Sequence, residues 1–121
     1  MVDLYVLVSN EISKVTKEVY PEQASSDAQF PYVVYDFPTT TDVGVREDII
    51  LEVNIWDSRR DGYDVITGIE QMASSIDEVL KNVINLDDST LYKFERLNRL
   101  NLKDPEPNIF RRQLRYRVKK Y

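Results

Sequence analysis

From Glu47 to Asp57 two kinds of residue alternate without a break. Ile49, Leu51, Val53 and Ile55 fall on one side, and Asp48, Ile50, Glu52, Asn54 and Trp56 on the other. A period of two is the signature of a β-strand, and a strand with one wholly apolar side must be covered there by a second layer. The same pattern returns near the end of the chain. Phe110, Arg112, Leu114, Tyr116 and Val118 alternate with Arg111, Gln113, Arg115, Arg117 and Lys119, giving a mostly apolar side and a basic one. In the first strand the second side is mixed, with Ile50 and Trp56 among polar residues. It is expected to be partly covered, by a neighbouring subunit or by a loop of the same chain.

The covering layer is also readable. Leu4, Leu7, Val8, Ile12 and Val15 recur at steps of three and four over residues 2–15, the stripe of an amphipathic helix, although Val6 and Val8 leave a strand reading open. A stronger stripe of Val65, Ile69, Met72, Ile76 and Val79 is flanked by Ile66, Ala73 and Leu80. Ser58-Arg59-Arg60-Asp61 resembles a capping box at the start of that helix, with Asp in place of Glu or Gln. Gly62 and Gly68 each weaken the helix by about 1 kcal/mol relative to Ala, so packing must hold its first turns.

Further strands complete the sheet. Val15 to Tyr20 reads as a short strand stopped by Pro21, and Tyr32-Val33-Val34-Tyr35-Asp36-Phe37 as a strand bracketed by Pro31 and Pro38. The small, polar residues from Pro38 to Val45 suit a hairpin loop longer than a tight turn. Asn85 to Ser89 has turn chemistry, after which Leu91, Tyr92, Phe94, Leu97, Leu100 and Leu102 form a strand whose parity change predicts a bulge near Arg96. The expectation is one α+β domain over residues 1–121. It has two layers, an antiparallel or mixed sheet of about five strands with two helices packed on one face.

The 121-residue chain contains neither cysteine nor histidine. Disulfides, thiolate nucleophiles and Cys-based zinc sites are excluded together, and so are the commonest general base and the commonest transition-metal ligand. Asp42, Glu47 and Asp48 match no EF-hand spacing, Gly62 and Gly68 form no phosphate-binding loop, and Trp56-Asp57 has no repeat around it. No cofactor, no metal and no enzymatic activity are expected. Leu4 to Val8 is too short an apolar run for an export signal and lacks a basic flank, and no stretch nears the ~18 consecutive apolar residues that span a bilayer.

Charge is unevenly placed. Residues 1–90 carry 6 Lys and Arg against 18 Asp and Glu, whereas residues 91–121 carry 10 against 3. Three readings follow: the basic strands neutralise acidic ones within one subunit, they meet the acidic surface of the next copy, or they follow a nucleic-acid backbone. The pI of about 4.8 argues against the last, so no specific nucleic-acid binding is expected. The candidate subunit interface comprises Thr39, Thr40, Thr41, Asp42 and Arg46 in the glycine-containing loop, with Arg111, Arg115, Arg117 and Lys119 on the basic strand.

Val19-Tyr20-Pro21, a polar spacer ending Ala28-Gln29-Phe30, and Pro31-Tyr32-Val33-Val34-Tyr35 resemble the entry segment of the tail-completion, or tail-terminator, family of long-tailed bacteriophages and prophages. The apolar strand at Glu47 to Trp56, the Asp-Ser-Arg-Arg-Asp-Gly link, the helix from about Asp61 to Leu80 and the paired terminal strands follow in that family's order. The resemblance implies a subunit that forms a ring, a hexamer in the assembled particle, at the head-proximal end of the tail tube. It would stop tail elongation there and join the tail to the head connector. The implied partners are further copies of itself, the tail tube protein and the head connector protein, without a membrane. The implied location is the host cytoplasm during assembly and then the virion. The family offers no catalytic motif, and Phe30-Pro31-Tyr32 matches as fold rather than as site. A small cytoplasmic adaptor or regulatory domain binding one protein partner is the alternative.

Overall fold

In the computed structural model, residues 2–43, 46–81, 83–85 and 91–120 are described, with backbone alone for residues 2–3, 39–43, 46–48, 83–85 and 120. The chain runs α1 (Val2–Ile12), β1 (Val19–Pro21), β2 (Tyr32–Val43), β3 (Arg46–Ser58), α2 (Val65–Leu80), β4 (Val83–Asn85), β5 (Leu91–Lys103) and β6 (Ile109–Lys120). This is an α+β fold. The sheet has six strands rather than about five, in the order β1-β2-β3-β6-β5-β4, and it is mixed because β1 pairs with β2 in parallel while the other neighbours are antiparallel.

Alternation decides which side of the sheet is covered. Ile49, Leu51, Val53 and Ile55 of β3 lie opposite Val118, Tyr116, Leu114 and Arg112 of β6. The seven apolar members of this set pack with Val33 and Tyr35 of β2 and Phe94 of β5 into one core. Leu4, Leu7, Val8 and Ile12 of α1 and Ile69, Ala73, Ile76 and Leu80 of α2 close that core from one side. Both helices therefore sit on a single face. In α2 the innermost stripe turns through Ala73 and Leu80, while Met72 and Val79 are half-buried and Ile66 is exposed.

Three local expectations are corrected. Helix α2 does not open at Ser58-Arg59-Arg60-Asp61. Its N-cap is Asp64, whose carboxylate accepts from the Thr67 backbone N–H at 3.2 Å and from the Thr67 hydroxyl at 2.7 Å. Gly62 lies before the helix at φ 71°, a left-handed turn position that favours glycine. Strand β2 does not stop at Pro38, because the register shift between Asp36 and Thr39 carries the proline past the ladder and pairing resumes from Thr39↔Ile50 to Val43↔Arg46. Much of the expected loop is thus strand. The strand β4 was not expected. The bulge in β5 falls between Arg96 and Asn98, where the parity change places it.

Gly68 has a structural reason. A Cβ built there would lie 2.1 Å from the Tyr63 hydroxyl, and Tyr63 is held in place because it donates to Asp57, a fully buried carboxylate that also accepts from the Ser58 N–H at 2.8 Å. Arg60 lies over the Tyr63 ring, 4.0 Å from its centroid, and pairs with Asp57 at 3.4 Å. No helix among the described residues is long and apolar enough to cross a membrane.

Candidate protein interface

Neither helix covers the other face of the sheet. Across β2, β3, β6 and β5 its rows are Tyr32–Trp56–Arg111–Leu102, Val34–Asn54–Gln113–Leu100 and Asp36–Glu52–Arg115–Asn98. Ile50–Arg117–Glu95 follow, and Lys119 lies beside Lys93. Four of the expected interface residues, Arg111, Arg115, Arg117 and Lys119, therefore share this face. Strand β6 is central, so it can meet a partner through these side chains and not through its backbone. The side chains of Thr39, Thr40, Thr41, Asp42 and Arg46 lie outside the described residues, as do those of Glu47 and Asp48; their backbone forms the far end of the β2–β3 hairpin.

The face is bound together internally at one end. Trp56 stacks on Tyr32 with ring centroids 5.4 Å apart, Phe30 lies 5.2 Å from Tyr32, and the Arg111 guanidinium sits 4.8 Å from the indole centroid. The cover for Trp56 thus comes from its own chain. Arg111 also donates to the Asn54 side-chain carbonyl at 2.8 Å, and the Gln113 amide donates to the same oxygen at 3.0 Å and to Glu52 at 2.9 Å. Lys119 pairs with Glu95 at 3.2 Å, and this contact holds the Glu95 carboxyl below its ordinary range.

Arg115 and Arg117 differ. Arg115 stands opposite Glu52 in the ladder, yet that carboxylate is engaged by Gln113. Among the described residues neither Arg115 nor Arg117 has an ion-pair partner within 4 Å, and the Nε atoms of Arg111, Arg115 and Arg117 are buried without a hydrogen bond.

The arginines on the helix side are all paired. Glu70 of α2 accepts from Arg112 Nε at 2.6 Å and from Arg99, and Asp77 accepts from Tyr116 at 2.7 Å and Arg96 at 3.2 Å. Neutralisation within one subunit is real there, between helix and sheet rather than across the strands alone. Burial and the bond to Asp77 push the Tyr116 hydroxyl well above the ordinary tyrosine range. Sequence reasoning missed this pairing, although Glu70 and Asp77 are seven apart and so share one side of a helix.

No protein-family model matches the chain, and no curated protein matches it. Among solved structures it is similar to a chain from the virion of a native gene transfer agent particle, with a TM-score of 0.62 at 10% identity over 93% of this chain and 91% of that one. At that identity the two share a fold.

Proposed function

We propose that this protein is a non-enzymatic structural subunit of a phage-like particle and, more finely, a tail-completion protein that caps the head-proximal end of the tail tube as a ring. The observation that carries this reading is the fold shared, over nearly the full length of both, with a chain of a gene transfer agent virion. The resemblance of the Val19-to-Tyr35 segment to the tail-completion family supports the finer role. Copies of the chain meet through the hairpin residues Thr39, Thr40, Thr41, Asp42 and Arg46 and through Arg111, Arg115, Arg117 and Lys119. The guanidinium groups of Arg115 and Arg117, without an ion pair among the described residues, suit an acidic protein surface. Trp56 offers little to a nucleobase, because Tyr32 and Arg111 already lie against it. The tail tube and head connector are the other partners.

Light scattering over a concentration series, at low and high salt, tests the reading. Molar mass is expected to rise toward a closed ring, and replacing Arg111, Arg115 and Arg117 together by Ser is expected to leave the fold intact while weakening association and its salt dependence. A triple variant that assembles normally at every salt concentration removes the basic face from the interface. A chain that stays monomeric both alone and with tail tube protein favours the single-partner adaptor.

A further inference from the structure

The two ends of the sheet are not protected alike. Arg59 N–H donates to Asn108 C=O, which fixes the phase of the β3–β6 ladder. Residues Phe110, Arg112, Leu114 and Tyr116 then turn their backbone groups toward β3, and Arg111, Gln113, Arg115 and Arg117 turn theirs toward β5. In β5 the register makes Glu95, Asn98, Leu100 and Leu102 the residues bonded to β6, so Phe94, Arg99, Asn101 and Lys103 point their N–H and C=O groups away from the sheet. Strand β4 pairs only with residues 91–93. Among the described residues nothing bonds to this outer edge from Phe94 to Lys103.

Edge strands are ordinarily guarded by charge, by proline or by a cover. Here the guards are drawn away. Arg96 and Arg99 reach back to Asp77 and Glu70 on α2. The side chains left standing include Leu97 at 41% exposure and Leu100 at 40%. There is no proline within β5.

The opposite edge is guarded for half its length. Val33 and Tyr35 bond outward to Glu18 and Glu22, the Phe37 N–H is capped by the Asp36 carboxylate at 2.8 Å, and Pro38 has no N–H. Beyond them Thr39–Val43 pair with β3 alone, and the same phase turns the backbone groups of Thr40 and Asp42 outward. Among the described residues the sheet thus has two unpaired edges, one at the far end of the β2–β3 hairpin and one along β5. Their charges are opposite. Residues 39–48 contain Asp42, Glu47 and Asp48 against Arg46, while on β5 Lys93 and Lys103 remain beside Glu95 once Arg96 and Arg99 are engaged by α2.

We infer that the far end of the β2–β3 hairpin of one copy adds as an extra strand to the open β5 edge of a second copy, so that the sheet continues from subunit to subunit. A β5-to-β5 pairing would set like charges against each other, whereas hairpin-to-β5 pairing joins opposite ones. The contact is head-to-tail, the kind that closes a ring when the rotation permits. The inference rests on the self-associating subunit proposed above and names the backbone edges through which copies join.

Asn101→Pro removes an outward N–H and leaves the bonds to β6 in place. Leu100→Lys restores a guarding charge at an exposed site. Each is expected to keep the circular dichroism of the unchanged protein and to weaken self-association at least about tenfold by light scattering. Because the chain has no cysteine, single cysteines report trans contacts cleanly. Mixing the Thr41→Cys chain with the Asn98→Cys, Leu100→Cys or Leu102→Cys chain is expected to give a disulfide-linked dimer for at least one pair, and none with Ile66→Cys on α2 as control. If the unchanged protein associates but the edge variants associate equally and none of the three mixtures cross-links, edge pairing is overturned while the ring reading stands. An unchanged protein that stays monomeric at every concentration, both alone and with tail tube protein, overturns self-association itself, and this inference with it.

Discussion

The two faces of the sheet hold similar residues under different rules. On the helix side, Arg96, Arg99 and Arg112 end on Asp77 and Glu70 of α2, and each is a link between layers. On the open side, Arg111, Arg115 and Arg117 run along one strand with buried Nε atoms that have no partner among the described residues, and of the three only Arg111 is seen there with a side-chain hydrogen bond, to the neutral Asn54. Arginine on the first face is spent on this chain's own stability. On the second, Arg115 and Arg117 have no ion pair among the described residues. The lesson is that the basic character of residues 91–121 is not one property: a guanidinium beside a carboxylate of its own subunit says little about partners, and an unpaired one says more.

Substitutions can break this contrast. The largest effect is expected in the shared core, where Ile69→Ala or Leu114→Ala removes a fully buried side chain and costs about 2–5 kcal/mol in denaturant unfolding, while the exposed Leu100→Ala costs about 0.5 kcal/mol or less. Next comes Glu70→Ala, which strands Arg112 and Arg99 beneath α2 and is expected to cost about 1–3 kcal/mol. Glu52→Ala on the open face is expected to cost about 0.5 kcal/mol, since Gln113 keeps its bond to Asn54. Equal losses from the two glutamates would erase the distinction between faces.

Gly68→Ala sharpens a smaller point. Ala gains about 1 kcal/mol of helix propensity, but its Cβ displaces Tyr63 from the buried Asp57 and leaves that carboxylate short of a donor at about 1–3 kcal/mol. A net loss of stability is expected by thermal unfolding, and Tyr63→Phe with Gly68→Ala should lose little more than Tyr63→Phe alone. The smallest effect concerns pH. The lowered Glu95 carboxyl contributes stability that is present above its unfolded pKa and lost as pH falls through the folded value, because the unfolded chain binds the proton more readily. Lys119→Met should remove that contribution, so the midpoints of unchanged and variant protein converge toward low pH.

Much of the fold was legible because it is written over short distances. The alternation of β3 and β6, the stripes of both helices and the bulge near Arg96 each follow from a few consecutive side chains choosing a side. The helix start was misplaced for the same reason, since Ser58 with Asp61 three residues on has the local form of a capping box, and only the accepting geometry of Asp64 at Thr67 shows where the helix begins. The basic face was visible as a stripe along β6. Its state was not, because Gln113 and Arg111 find their partners 57 to 61 residues away.

The sequence by itself determined the longer strands and both helices apart from their ends, which side of each is apolar, and that chemistry based on cysteine or histidine is absent. Tertiary structure alone decided that β6 is a central strand, that β2 continues past Pro38, that α2 takes up three arginines, and that no described residue pairs with the outer edge of β5 beyond Lys93. The physical reason is range. Periodicity and turn chemistry act within a few residues, whereas strand order and charge pairing depend on which distant segments the shared core brings side by side.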